Sequence, residues 1–197
     1  MPLRAPITGQ AQKQEGQVVG GKLQGAGAET YHDGSEYKGN FVKGAKEGSG
    51  RYVYPDGAVY DGNFKQDKME GQGTFQWPDG RQYSGSWLNN QMQGQGEMRY
   101  ADDSTYTGQF ANGVRKGFGV LSLPDGSSYE GQWKQDKQHG KGKQITASGQ
   151  VTDGEWFKGQ LLPQQSPAAS QKSPKAASKG SFAKQSPRQS QKGSPRQ

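Results

Sequence analysis

One interval governs this chain. Tyr83-Ser84-Gly85-Ser86-Trp87 recurs as Tyr37-Lys38-Gly39-Asn40-Phe41, Tyr60-Asp61-Gly62-Asn63-Phe64, Tyr106-Thr107-Gly108-Gln109-Phe110 and Tyr129-Glu130-Gly131-Gln132-Trp133, always 23 residues apart. A fixed period of this size predicts a repeat array rather than a compact globule. Composition agrees: Leu, Ile, Val and Phe make up about an eighth of the chain, too few for an ordinary core. Read without the period, that figure would suggest disorder. The apolar residues, however, stand in register and are mostly aromatic.

Within each unit, alternation in Tyr-x-Gly-x-Phe/Trp puts Tyr37, Gly39 and Phe41, and each set of counterparts, on one face of a strand. A polar segment such as 42–47 or 65–70 reads as a hairpin turn. A Gly-x-Gly strand then returns, as at Gly48/Gly50 or Gly71/Gly73. Its parity continues into Tyr52 and Tyr54, Phe75 and Trp77, Met98 and Tyr100, or Leu121 and Leu123, while the opposite parity is polar. One face is therefore expected to be buried and the other wet. Pro-Asp-Gly, at Pro55-Asp56-Gly57, Pro78-Asp79-Gly80 and Pro124-Asp125-Gly126, closes the unit as a turn. Glycines inside the strands are expected to let neighbouring rings lie flat on the backbone. The whole reads as an all-β, elongated, single-layer antiparallel array of hairpins. An open sheet of this kind is expected to bury its rings incompletely, leaving the aromatic face as the best partner groove.

The boundaries follow the same register. Residues 1–13 carry no pattern and read as a flexible N-terminus. Residues 14–36 are a degenerate first repeat, with Gln14 in the tyrosine position and Val18 in the aromatic one. Five full repeats occupy 37–151. A half-repeat, 152–162, keeps Gly154 and Trp156 and ends in Leu161-Leu162, which reads as a cap over the last edge, with a dimer contact as the alternative. Residues 163–197 have the composition of a disordered Ser/Pro/Lys-rich tail. They hold seven basic residues and no acid, so the tail carries the entire net charge of +7 and the array is neutral. A fold-wide basic surface for nucleic acid is thus absent. Ser166, Ser173, Ser186 and Ser194 each precede proline and are candidate phosphorylation sites, whose added charge would cancel the tail's.

Chemistry is sparse. With no cysteine, disulfides, thiolate metal sites and a cysteine nucleophile are excluded. Gly16 to Leu23 imitates a phosphate-binding loop but has Leu23 where Ser/Thr is needed. Asp33, Asp56, Asp79, Asp102 and Asp125 recur once per turn, too thinly for calcium. His32 and His139 stand alone. The basic residues Lys43, Lys46, Lys65, Lys68, Arg115, Lys116, Lys134 and Lys137 lie near the hairpin tips with Glu47, Asp67, Glu70 and Asp136 among them, and read as a solvated face. No catalytic residue, metal or cofactor is expected.

Tyr-x-Gly-x-Phe/Trp, Gly-x-Gly and Asp-Gly at this interval resemble the MORN repeat, strongly over 37–151 and weakly over 14–36 and 152–162. The family's Lys-x-His-Gly-like turn is matched only by Lys137-Gln138-His139-Gly140. The resemblance implies a non-catalytic scaffold that binds a peptide or helix, in a cilium, flagellum or other cytoskeletal assembly, with microtubule or axonemal components as partners. It also implies, in some members, homodimers through the array ends; a cytoplasmic setting is expected because no apolar run reads as a signal peptide or membrane span. The alternative is a peripheral membrane adaptor whose tail meets acidic lipid or phosphoinositide; a third reading is a regulatory subunit of an enzyme.

Overall fold

A computed structural model describes Pro6 and residues 10–163. The expectations for residues 164–197, Ser166, Ser173, Ser186 and Ser194 among them, lie outside the described residues. Odd-numbered strands are β1 (Lys13–Val19), β3 (Glu36–Val42), β5 (Val59–Lys65), β7 (Gln82–Leu88), β9 (Thr105–Ala111), β11 (Ser128–Lys134) and β13 (Val151–Phe157). Even-numbered strands are β2 (Lys22–Thr30), β4 (Ala45–Val53), β6 (Lys68–Gln76), β8 (Gln91–Arg99), β10 (Val114–Ser122), β12 (Lys137–Ile145) and the short β14 (Gln160–Leu161). They form one antiparallel sheet in chain order.

The connections alternate between two long rims. On one, two-residue tips join the strands of each hairpin. Both tip residues have positive φ, as at Gln66 (47°) and Asp67 (66°) or Asn89 (49°) and Asn90 (66°), the turn whose twist suits a hairpin. The expected turn over 42–47 is therefore shorter than read: Val42 and Ala45 already pair across the strands. On the other rim the Pro-Asp-Gly turns close, with Tyr54 N donating to Ala58 O at 2.8 Å and Asp56 Oδ1 accepting from Ala58 N at 3.1 Å.

The two glycines of Gly-x-Gly do different work. The first lies in a bulge: between the pairs Gly39–Gly50 and Phe41–Lys46, Asn40 alone faces residues 47–49, and Gly48 has φ 67°. That bulge accounts for nine-residue strands pairing with seven-residue ones. The second glycine belongs to a line that crosses the sheet. Gly16, Gly27, Gly39, Gly50, Gly62, Gly73, Gly85 and Gly96 pair in succession, and Gly108, Gly119, Gly131, Gly142 and Gly154 continue it.

The core lies along this line. Each repeat tyrosine folds back over its own glycine pair and donates to a carbonyl three residues on, Tyr60 to Asn63 O at 2.9 Å and Tyr83 to Ser86 O at 3.0 Å. The ring is then held edge-on by two others. Tyr83 meets Trp87 of its own strand at 5.2 Å and Phe110 of the next repeat at 5.0 Å, near perpendicular in both cases. Such edge-to-face pairs add about 0.5–1.5 kcal/mol each beyond burial. Trp87 and Trp133 also donate to Gly73 O and Gly119 O. At the C-terminal end Thr152 replaces tyrosine, and a Leu161 methyl occupies the space where a Gly154 Cβ would point. Leu161 lies over the last glycine while itself remaining 43% exposed.

Candidate functional site

The repeat residues named from the sequence prove to be interior. Tyr37, Phe41, Tyr60, Phe64, Tyr83, Trp87, Tyr106, Phe110, Tyr129 and Trp133 are all buried, packed over Gly39, Gly62, Gly85, Gly108 and Gly131. The expectation that an open sheet leaves these rings accessible is corrected. The glycine line brings the aromatic face close to itself, and every ring is covered by its own repeat or the next. They hold the fold and are not available to a partner.

What opens on this face does so only in the later repeats, between the Pro-Asp-Gly side and the tips. Two positions run down it at the repeat interval. Glu29, Tyr52, Phe75 and Met98 are buried, then Leu121 is half-buried and Gln144 exposed. Tyr31 and Tyr54 are buried, Trp77 and Tyr100 half-buried, and Leu123 exposed. The face is thus sealed at its N-terminal end and opens progressively.

The seal is polar. Lys46 projects inward from β4, its side chain only 2% exposed, and lies 3.4 Å from Asp67 and 3.8 Å from Glu29, itself 7% exposed. Its ammonium also stands 5.1 Å from the Tyr31 ring centre and 5.4 Å from that of Tyr37, within cation–π range. Tyr31 donates to Glu29, Gln14 donates to its other oxygen, and Tyr52 donates to Ser35. Burial draws the Lys46 amine below its usual value, against the pull of Asp67 and Glu29. From sequence Lys46 reads as part of a solvated face; in the structure it is buried. The repeat interval itself carries the missed signal, since Lys46 shares its column with Leu23, Met69 and Met92, all inward-facing and buried.

Beyond the seal lies a cavity of about 550 Å³ lined by Trp77, Arg81, Met92, Met98, Tyr100 and Arg115 among others. Arg81 lies 5.0 Å from the Trp77 ring centre and pairs with Asp79. Arg115 lies 4.4 Å from that of Trp133 and 5.5 Å from Tyr106, with its Nε 3.3 Å from Asp136. Tyr106 is pushed up to about 12 by burial, opposed by the nearby Arg115 charge. Two methionines, two aromatic rings and two stacked guanidiniums make an adaptable apolar floor with charged walls.

The other expected chemistry resolves into structure. Gly16 to Leu23 is the β1–β2 hairpin, turning at Gly20-Gly21. Asp33, Asp56, Asp79, Asp102 and Asp125 each accept the backbone N–H two residues on. Among the described residues no three His, Cys, Asp or Glu side chains converge on a common point, and no helix is long and apolar enough to cross a membrane.

Comparison with known proteins decides the family. The model of the MORN repeat matches residues 15–36, 37–59, 60–80, 83–105, 106–128 and 129–151. The chain belongs to the MORN-repeat family. No curated protein matches it. Among solved structures, this MORN chain is similar to the wild-type TCP10 domain of Danio rerio CPAP in complex with a STIL peptide (22% identity, 66% of this chain and 68% of that one, TM-score 0.31). It is also similar to the SAS-4 TCP domain of Drosophila melanogaster in complex with a proline-rich motif of Ana2 (13% identity, 78% and 97%, TM-score 0.33). The TCP10c domain of Drosophila Sas-4 gives 12% identity, 66% and 91%, and a TM-score of 0.34. These likenesses are too slight to bring any property of those domains to this chain.

Proposed function

We propose that this MORN array is a non-catalytic scaffold that seats a segment of another protein in the opening of its inner face. The cavity between Trp77 and Arg115 carries this reading, because on its N-terminal side the same face is filled by Tyr31, Tyr52, Tyr54 and Lys46. The proposed setting is the cytoplasm, in a cilium, flagellum or other cytoskeletal assembly, and follows from the family resemblance. Homodimerisation through the array ends would use the outer edge of β1, which among the described residues pairs on one side only.

Affinity capture with full-length protein tests the reading. Tyr100→Ala at the cavity should lose a partner that wild type and the outer-face variant Thr74→Ala both retain, with melting confirming that all three fold. Identical partners for all three would overturn it.

A second reading, the peripheral membrane adaptor, has its own observation. The residue before each tip recurs at the repeat interval as Val19, Val42, Lys65, Leu88, Ala111, Lys134 and Phe157. Val19, Val42, Leu88 and Phe157 are 57%, 45%, 46% and 50% exposed. Lysines at 22, 43, 68, 137 and 158 accompany them, with Asp67 and Asp136 the acidic residues at the tips themselves. Apolar side chains among lysines suit an anionic lipid surface. Imaging a tagged copy before and after gentle detergent extraction separates the two settings: retained signal supports the cytoskeletal scaffold, and lost signal supports the membrane adaptor.

A further inference from the structure

The sealed and open ends of the inner face are copies of one arrangement, three repeats or 69 residues apart. Lys46 corresponds to Arg115, Asp67 to Asp136, Tyr31 to Tyr100, Tyr37 to Tyr106 and Phe64 to Trp133. The local geometry repeats as well. Lys46 N donates to Asp67 Oδ1 at 2.9 Å, and Arg115 N donates to Asp136 Oδ1 at 2.9 Å. Each cation then approaches that same next-tip carboxylate with its side chain, at 3.4 and 3.3 Å.

One member differs. At the sealed end a second carboxylate, Glu29, faces the cation from the opposite wall at 3.8 Å. At the open end its place is taken by Met98, and the space beside Arg115, Met98 and Tyr100 is the cavity. A buried or half-buried cation gains most from a carboxylate where water is scarce, and an arginine stacked on an indole keeps its outer N–H edge for one. Arg115 donates from Nε to the Asp136 carboxylate at 3.3 Å and from Nη2 to the Asp136 carbonyl at 2.8 Å, its side chain is 18% exposed, and among the described residues it pairs with no carboxylate but Asp136.

We infer that the partner supplies the missing carboxylate: the segment seated in this cavity carries an Asp or Glu that meets Arg115, beside an apolar side chain resting on Met92 and Met98. The sealed end shows, within the same chain, how an inward cation and an opposed carboxylate complete the site. This rests on the peptide-binding reading above and adds the chemistry of what is bound.

Random dodecapeptides selected on the full-length protein test it. The chain has only four methionines, so methionine-methyl NMR maps any selected peptide, with Met92 and Met98 reporting on the cavity and Met69 on the sealed side. The expected peptides shift Met92 and Met98 and share one acidic position. Changing that residue to its amide should weaken binding at least tenfold. Arg115→Met, which installs the residue found at Met69 and Met92, should abolish that difference, and Arg115→Lys should restore part of it. Met98→Glu should weaken the acidic peptides by supplying the carboxylate from the chain itself. Melting curves check that each variant folds. Peptides that shift Met92 and Met98 but ignore both the acid-to-amide change and Arg115→Met would overturn the carboxylate inference and leave the peptide reading standing. Peptides that shift neither methionine, or failure to select any, would overturn both.

Discussion

A glycine on the crossing line tolerates almost nothing. A Cβ at Gly108 would lie 2.5 Å from Gly119 Cα and 2.7 Å from both Phe118 O and the Tyr106 hydroxyl, so backbone must move. Gly108→Val should cost about 3 kcal/mol or more, a fall of roughly 6–12 °C in melting temperature. Gly57 is the internal contrast: it also needs glycine, with φ 86°, but nothing lies within 4 Å of its absent Cβ. Gly57→Ala should cost only the left-handed strain, about 1–2 kcal/mol. Equal losses at the two sites, measured by thermal melting, would mean that close packing on the line is not what holds the array. Lys46 offers a second test. Lys46→Met alone leaves the Glu29 charge without its cation and should cost about 3–5 kcal/mol, whereas adding Glu29→Gln, which removes the charge but keeps an acceptor for Tyr31, should recover most of it; a double variant no more stable than the single one would show that the ion pair is not the relevant unit.

Between elements, the tips tie the hairpins into one sheet. Asp67 N donates to Lys46 O and Asn90 N to Met69 O, both at 3.1 Å. The Asn90 side chain completes the link, its Oδ1 accepting from Met69 N at 2.7 Å. Asn90→Gly keeps positive φ easy and removes only that side-chain bond. It should cost about 1 kcal/mol, read as a lower urea midpoint at unchanged slope; an unmoved midpoint would contradict the role. Strand order, face and Pro-Asp-Gly turns were legible in the sequence because each depends on local alternation at a fixed interval. The tips were read too long because Val42 and Lys65 are polar-side strand residues next to a two-residue turn, and nothing local marks where pairing resumes. The exposed groove was misplaced for a different reason. Whether Tyr83 is covered depends on Phe110, one repeat away, and on how sharply the glycine line brings them together. Column alignment by 23 residues does separate Lys46 and Arg115 from the surface lysines, but only the structure shows Glu29 opposite one and Met98 opposite the other.

At the scale of the whole array, buried tyrosines set the alkaline limit. Burial holds Tyr37, Tyr60, Tyr83 and Tyr106 protonated well above their ordinary range. Above about pH 10 the unfolded chain loses these protons while the folded one keeps them. Stability from this source is therefore full below pH 10 and declines above it, by about 1.4 kcal/mol per pH unit for each such tyrosine. Lys46, shifted downward, acts oppositely just below its ordinary value, but is one group against several. Melting temperature should fall steeply between about pH 10 and 11.5, with tyrosinate absorbance appearing in the same transition as unfolding. Smooth ionisation near pH 10 of a still-folded protein would contradict the burial of these rings.

The proposed partner sits in the inner-face opening rather than on the outer face. A photocrosslinking amino acid placed at Tyr100, on the cavity wall, and separately at Thr74, half-buried on the outer face, tests this in cells with the full-length chain. A discrete crosslinked product is expected from position 100 and none from position 74. A product of equal yield at both, or from position 74 alone, would contradict it.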